Sequence, residues 1–187
     1  MDLLGEEIAC SGSSRIDPCN GEPWRSLSAA SRLAFSDDLV NLAGMAGKVF
    51  RHEHRVTYAE CTVGNHIYYS RYLDLLEAVR GEFLRHLGQP LRAWQERDTL
   101  FPVVECRLRY RAAARYDDVI TTELWLTAAE KVRLNFCYRL VGPGGRILVE
   151  AVTLHVCTSF QDKPKRLPEE LAAMLQPFVD TEPGGGV

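Results

Sequence analysis

The sequence predicts an α+β domain in which one long helix lies against an antiparallel sheet of about five strands. Three features predict it. From Ser70 to Leu87, apolar residues (Tyr72, Leu75, Leu76, Val79, Phe83, Leu87) recur at steps of three and four, the spacing of one helix face. From Val103 to Ala114 they alternate instead, with Val104, Cys106, Leu108 and Tyr110 against Glu105, Arg107, Arg109 and Arg111, as on a pleated strand. A second alternation (Val132, Leu134, Phe136, Tyr138, Leu140) runs into Gly142-Pro143-Gly144-Gly145, which closes a hairpin.

The remaining elements follow in order. Residues 1–46 read as an extension broken by Ser11-Gly12-Ser13-Ser14, Pro18, Asn20-Gly21 and Pro23, with a helix over Leu27–Leu42 capped by Ser26 or Ser28. The domain proper is 47–187. Lys48–Tyr58 suits a strand, with Val49, Val56 and Tyr58 as its apolar or aromatic members. A loop at Gly64-Asn65 leads to the long helix, whose charges (Arg71, Asp74, Arg80, Glu82, Arg85) are assigned to its outer face. Gly88 and Pro90 stop it. After the strand over 103–114, Asp117-Asp118 turns into a strand over Val119–Thr127. Arg146–Thr158 is the last long strand, and Pro168 opens a short helix. One helix covers only one face of such a sheet. The other face and the edge call for a second copy, as a homodimer or homotetramer.

Composition narrows the functional classes. The 187 residues are 46% hydrophobic and 25% charged, enough for a packed core. The net charge of −3 divides into −4 over residues 1–44 (3 basic, 7 acidic) and +1 over 45–187 (19 basic, 18 acidic). Neither part is basic enough to bind nucleic acid by counterion release. The late uncharged run 151–161 is 11 residues, against about 20 for a membrane span. An acidic start, Met1-Asp2-Leu3-Leu4-Gly5-Glu6-Glu7, argues against a signal peptide and for a cytoplasmic protein. The six cysteines form no Cys-x-x-Cys pair. His52 and His54 share a strand face without a further ligand in view, so no metal is assigned.

The chemistry concentrates in Thr57-Tyr58-Ala59-Glu60-Cys61-Thr62-Val63-Gly64-Asn65-His66-Ile67-Tyr68-Tyr69-Ser70-Arg71-Tyr72, a polar loop feeding a helix start. Unpaired first-turn N–H groups and the helix dipole can polarise a carbonyl as negative charge develops on its oxygen.

On these residues the chain resembles the hotdog-fold acyl-CoA thioesterases of the 4-hydroxybenzoyl-CoA thioesterase type. Gly64, Tyr68, Tyr69, Tyr72, Leu73, Glu77 and Arg80 match the family's loop and central-helix pattern. Arg115-Tyr116-Asp117-Asp118 and Lys163-Pro164-Lys165-Arg166-Leu167-Pro168 extend the match, which covers about 48–170. The resemblance implies a hotdog fold, hydrolysis of an acyl-CoA thioester without a resident cofactor (CoA belongs to the substrate), and the backbone N–H of Tyr69 as donor to the thioester oxygen. It also implies Tyr68 and Tyr72 as substrate contacts, and Lys163, Lys165 and Arg166 as partners for the nucleotide end of CoA. Arg107, Arg109 and Arg111 form a second basic stripe.

The family's catalytic carboxylate is the second acid of Asp-x-Asp. Here that position is Thr62, and the first acid is Glu60. A threonine hydroxyl is a weak nucleophile without a base and can only hold a water. Three residues are candidates for the missing base: His66 with Asn65, Glu60, and Glu77 on the helix. The absent carboxylate also leaves open a hotdog protein that binds acyl-CoA or an acyl carrier without hydrolysing it. A dehydratase requires a His–acid pairing that the loop spacing does not provide.

Overall fold

The spacing read over 70–87 produces a helix, α1, at Arg71–His86, in a computed structural model that describes residues 47–180. The extension 1–46, the helix read over 27–42 and the terminal glycines lie outside the described residues. Tyr72, Leu75, Leu76, Val79, Phe83 and Leu84 are buried, while Leu73, Asp74, Glu77 and Ala78 face outward. Each fully buried side chain of this size contributes about 1.5–3 kcal/mol. An exposed pair such as Arg71–Asp74, 3.1 Å apart, contributes about 0.2–1 kcal/mol, so burial holds the helix in place. Gly88, at φ +72°, ends it: the Gly88 and Gln89 N–H groups turn back to the Arg85 and Leu84 carbonyls.

The sheet has five antiparallel strands: β1 (Phe50–Arg55), β2 (Val103–Tyr110), β3 (Val119–Glu130), β4 (Arg133–Val141) and β5 (Ile147–Val156). Their spatial order is β1-β3-β4-β5-β2, which leaves β2 at an edge. Side chains alternate across it. Ile120, Leu124, Leu126, Leu134, Phe136, Tyr138, Leu140, Val149 and Ala151 meet α1 and a short C-terminal helix, α3 (Glu169–Leu175), in the main core. Trp125, Cys137 and Val152 form a second cluster on the opposite face.

Several expectations need correction. The first strand stops at Arg55. Tyr58 is 81% exposed on a 3-10 turn, Tyr58–Glu60, because the Glu60 carboxylate gathers the Thr57 donors and curls the chain. The second strand ends at Tyr110, where the Arg111 and Ala112 N–H groups both donate to the Leu148 carbonyl. A five-residue helix, α2 (Leu91–Gln95), follows Pro90 and seats the fully buried Trp94. No helix among the described residues is long and apolar enough to cross a membrane.

Arg80 does not sit on the outer face. Its guanidinium donates to the Tyr138 hydroxyl at 3.3 Å, the first link of a buried chain. Tyr138 Oη lies 3.0 Å from Thr153 Oγ1, Thr153 Oγ1 lies 2.9 Å from His155 Nε2, and His155 Nδ1 lies 2.9 Å from the Phe101 carbonyl. A carbonyl only accepts, so Nδ1 carries the imidazole proton and Nε2 accepts. Thr153 therefore donates to His155, and Tyr138 donates to Thr153. All donors point one way, and the groups satisfy one another inside the core.

Burial pushes the His155 imidazole down to about 4. The unfolded imidazole takes its proton near pH 6.5 and the folded one only near 4, so His155 stabilises the fold fully above about pH 6.5 and progressively less as pH falls toward 4. Denaturant titrations at pH 7 and pH 4.5 are expected to show a loss of roughly 3 kcal/mol at most from this group. The His155→Phe variant should show a correspondingly smaller difference between the two pH values. An unchanged difference would remove His155 from the account.

Candidate active site

The loop before α1 is built on backbone bonds that its sequence favours. The Thr62 N–H and hydroxyl both donate to the His66 carbonyl (2.8 and 3.2 Å), and the Asn65 N–H donates to the Thr62 carbonyl, which closes a tight turn. Asn65 occupies the left-handed region at φ 54°, which asparagine tolerates better than most residues. Its Oδ1 accepts from the Tyr116 N–H at 3.3 Å, so its NH2 group is directed elsewhere. The Ile67 N–H donates to the Ala114 carbonyl, the Tyr68 N–H to the Glu60 carbonyl, and the Ala114 N–H to the Tyr72 hydroxyl at 3.0 Å.

These contacts set one peptide plane. The Tyr68 carbonyl accepts from the Arg71 N–H at 2.9 Å and so points into the helix. A trans peptide directs its N–H opposite to its C=O, so the Tyr69 N–H points away from the helix body. It donates to no acceptor among the described residues. The Tyr110 hydroxyl donates to the Tyr69 carbonyl at 3.2 Å and steadies the next plane. Tyr68, Tyr69, Tyr72 and Tyr110 form a chain of ring contacts around this point, with Tyr68–Tyr69 centroids 4.7 Å apart and Tyr72–Tyr110 centroids 5.6 Å apart. Tyr110 was missed as a site residue. Its signal was its place on the apolar face of an edge strand.

The candidate bases differ in what they touch. The Glu60 carboxylate accepts from the Thr57 N–H (2.6 Å), the Thr57 hydroxyl (2.7 Å) and His54 Nε2 (2.9–3.0 Å). Burial works to raise its pKa, but the Thr57 and His54 bonds together hold it below the ordinary carboxylate value. Its oxygens are thus committed to the turn. His66 is exposed, with its ring folded over Gly64, three residues from the Tyr69 amide. Glu77 is exposed on α1, about 12 Å along the helix from Tyr69. It lines a groove of about 390 Å³ with Asp74, Ala78, Gly81, Arg85 and Leu91. Arg80 faces inward to Tyr138, so it does not serve as an ion-pair partner for Glu77.

The basic tail residues lie elsewhere in the single chain. Lys165 Nζ donates to the Asp98 carbonyl at 2.7 Å and pins the 97–99 turn, while Lys163 and Arg166 are exposed. All three follow the bridge of Thr158 to Leu100, near the start of β2. Tyr69 contacts Tyr110 at its end, about 23 Å away along seven strand steps. Of the second stripe, Arg107 pairs with Glu105, and Arg111 with Glu150 at 2.9 Å.

Comparisons with known proteins bear on the family and the fold. A family model described as the thioesterase-like superfamily matches residues 56–175. The acyl-CoA thioester hydrolase YbgC of Escherichia coli O6:H1 (strain CFT073) is 31% identical over 126 residues, 67% of this chain and 94% of that protein. The crystal structure of the hypothetical protein TT1821 from Thermus thermophilus is 32% identical, with a TM-score of 0.64, over 68% of this chain and 98% of that one. Slr0204, a 1,4-dihydroxy-2-naphthoyl-CoA thioesterase from Synechocystis, is 21% identical with a TM-score of 0.65, over 69% of this chain and 96% of that one, a likeness of fold. With its five-stranded antiparallel sheet and long helix, the chain belongs to the thioesterase-like superfamily and has its hotdog fold.

Proposed function

We propose that this chain hydrolyses acyl-CoA thioesters to the free acid and CoA. The observation that carries the reading is the Tyr69 N–H, aimed out of the helix start with no acceptor of its own chain among the described residues. The acyl carbonyl oxygen sits against that N–H. Water attacks the carbonyl carbon, the oxygen becomes negative, and the amide and helix dipole stabilise it. One such donor is worth about 10²- to 10³-fold in rate. The carbon–sulfur bond then breaks, and the departing thiolate takes up a proton. No resident cofactor enters these steps. Family membership and the 31% identity to an acyl-CoA thioester hydrolase support the reading.

His66 is the base in this proposal, with the Asn65 NH2 group holding the attacking water. Both are exposed on the loop beside the amide, and the Asn65 carbonyl oxygen is already taken by Tyr116. Thr62 and Glu60 keep the loop in shape. Thiol release from a panel of acyl-CoAs tests the assignment. His66→Ala is expected to lower kcat by about 10²-fold or more. Glu60→Gln is expected to keep kcat within about tenfold while lowering the melting temperature, since it weakens a charge-assisted contact worth about 1.5–3 kcal/mol. The reverse pattern would make Glu60 the base. If no acyl-CoA is cleaved but CoA esters raise the melting temperature, a binding protein replaces the enzyme.

The active assembly is at least a homodimer in this reading, joined along β2. That edge exposes Val103, Val104 and Tyr110 at 48%, 41% and 47%, an unsatisfied strand edge with apolar side chains. Antiparallel pairing of two β2 edges sets the start of one against the end of the other. The Lys163–Arg166 segment of each copy thereby approaches the Tyr69 amide of its neighbour and can meet the phosphates of CoA. We place the reaction in the cytoplasm, where the free thiols Cys61, Cys106, Cys137 and Cys157 are at home. Light scattering on the eluting protein is expected to give at least twice the 21.1 kDa chain mass. A monomer with full activity would overturn the shared site.

A further inference from the structure

The face of α1 opposite the core is open. Tyr72, Leu75, Leu76, Val79 and Phe83 turn toward the sheet. Asp74, Ala78, Gly81 and Arg85, at steps of four, three and four, therefore form one stripe along the other side. Asp74, Ala78 and Arg85 are exposed, and Gly81 lies under the Arg85 guanidinium, which a Cβ there would meet at 3.4 Å. The stripe runs along the groove of about 390 Å³ that Glu77 and Leu91 complete.

This stripe reads the same in both directions except for the sign of its charge. Asp74 and Arg85 lie about 8 Å to either side of a midpoint between Ala78 and Gly81. Glu77 adds a second acid to the N-terminal half. When two such helices cross antiparallel, the acidic half of each meets the basic end of the other, and the two small residues meet at the centre. Each charge already has a neighbour in its own chain, Arg71 for Asp74 and Glu82 for Arg85. The Asp74 side chain nonetheless stays 63% exposed and that of Arg85 56%, so both have room for a second partner. A foreign partner would have no need of this symmetry, whereas a two-fold contact between identical chains requires it.

We infer that the outward face of α1 docks against the same face of a second copy of this chain, antiparallel, with Asp74 of each copy opposite Arg85 of the other. Ala78 and Gly81 let the two axes approach to about 8 Å, the near end of helix packing distances. Two exposed leucines flank the stripe, Leu73 near its N-terminal end (44% exposed) and Leu91 just beyond its C-terminal end (37%). The antiparallel crossing brings Leu73 of one copy toward the Leu91 end of the other and adds apolar contact to the charge pairs. The stoichiometry rests on the β2 pairing proposed above. Two β2 edges joined about a two-fold normal to the sheet keep both α1 helices on one face. A second dimer facing it engages both at once, so two modest contacts reinforce each other and the assembly closes as a tetramer.

Sedimentation velocity on the full-length protein tests this without recourse to activity. The unaltered protein is expected to run at four times the 21.1 kDa chain mass. Asp74→Arg and Arg85→Asp each set like charges face to face and are expected to halve that mass. The double variant restores opposite charges across the two-fold and is expected to regain it. Gly81→Gln is a further check: it raises helix propensity, so the fold is not weakened, yet its side chain wedges the helices apart and is expected to halve the mass as well. A monomeric unaltered protein overturns the inference, as does a mass that stays the same in the single reversals and in Gly81→Gln. A double variant that fails to regain the mass overturns the two-fold pairing. Should the unaltered protein run as two chains, a fall to one on single reversal places that interface on α1 and removes the β2 reading. No fall leaves the β2 edge standing and overturns the α1 contact.

Discussion

A trans peptide cannot turn its C=O and its N–H to the same side, and this constraint organises the site. Because the Arg71 N–H captures the Tyr68 carbonyl, the Tyr69 N–H has to face outward. A helix start always leaves such donors without internal partners. What is particular here is the number of contacts that hold this one in a single direction. Glu60 ties the preceding turn through its side chain and receives the Tyr68 N–H on its backbone. Ala114 grips both the loop, through Ile67, and the helix, through Tyr72. Tyr110 fastens the following carbonyl. A donor fixed before substrate arrives costs little reorganisation when negative charge develops beside it, which is what the role proposed for the Tyr69 amide requires.

The sheet beneath supplies rigidity in two different ways. On the inner face, the one-directional chain from Arg80 through Tyr138, Thr153 and His155 to the Phe101 carbonyl links α1 to β4 and β5 and to the segment before β2. A chain of this kind stabilises only when complete, because each buried group left without its partner costs about 1–3 kcal/mol. On the outer face, charges of alternating sign cross the strands and keep their register, since a slip of one residue would move every arginine and glutamate to the wrong side.

Much of this was legible in the residues. The steps from Tyr72 to Phe83 gave α1 to within a residue at each end, the alternation over 132–140 gave the core face of β4, and that over 103–114 gave the faces of β2 only from Glu105 to Tyr110, because a bulge at Val104 breaks the register and the strand stops at Tyr110. Local patterns of this kind are set by burial, which is large and periodic. Tyr58 was misplaced because one side chain, Glu60, collects three donors and bends a stretch whose composition suits a strand. Arg80 was assigned to solvent because its partner lies 58 positions away, on a strand that only the fold brings close. α2 was missed because five residues after a proline hold too little periodicity to register. Within the site, the outward amide followed from the matched motif. Which side chains were already engaged by the turn, Glu60 above all, depended on contacts that spacing alone does not encode.

The most direct test of the account is a crystal structure of the protein with a non-hydrolysable acyl-CoA analogue in which a methylene separates carbonyl and sulfur. The ketone oxygen is expected within about 3 Å of the Tyr69 nitrogen, in line with its N–H. A ketone bound elsewhere, or a Tyr69 N–H that turns to an acceptor of its own chain, would contradict the account.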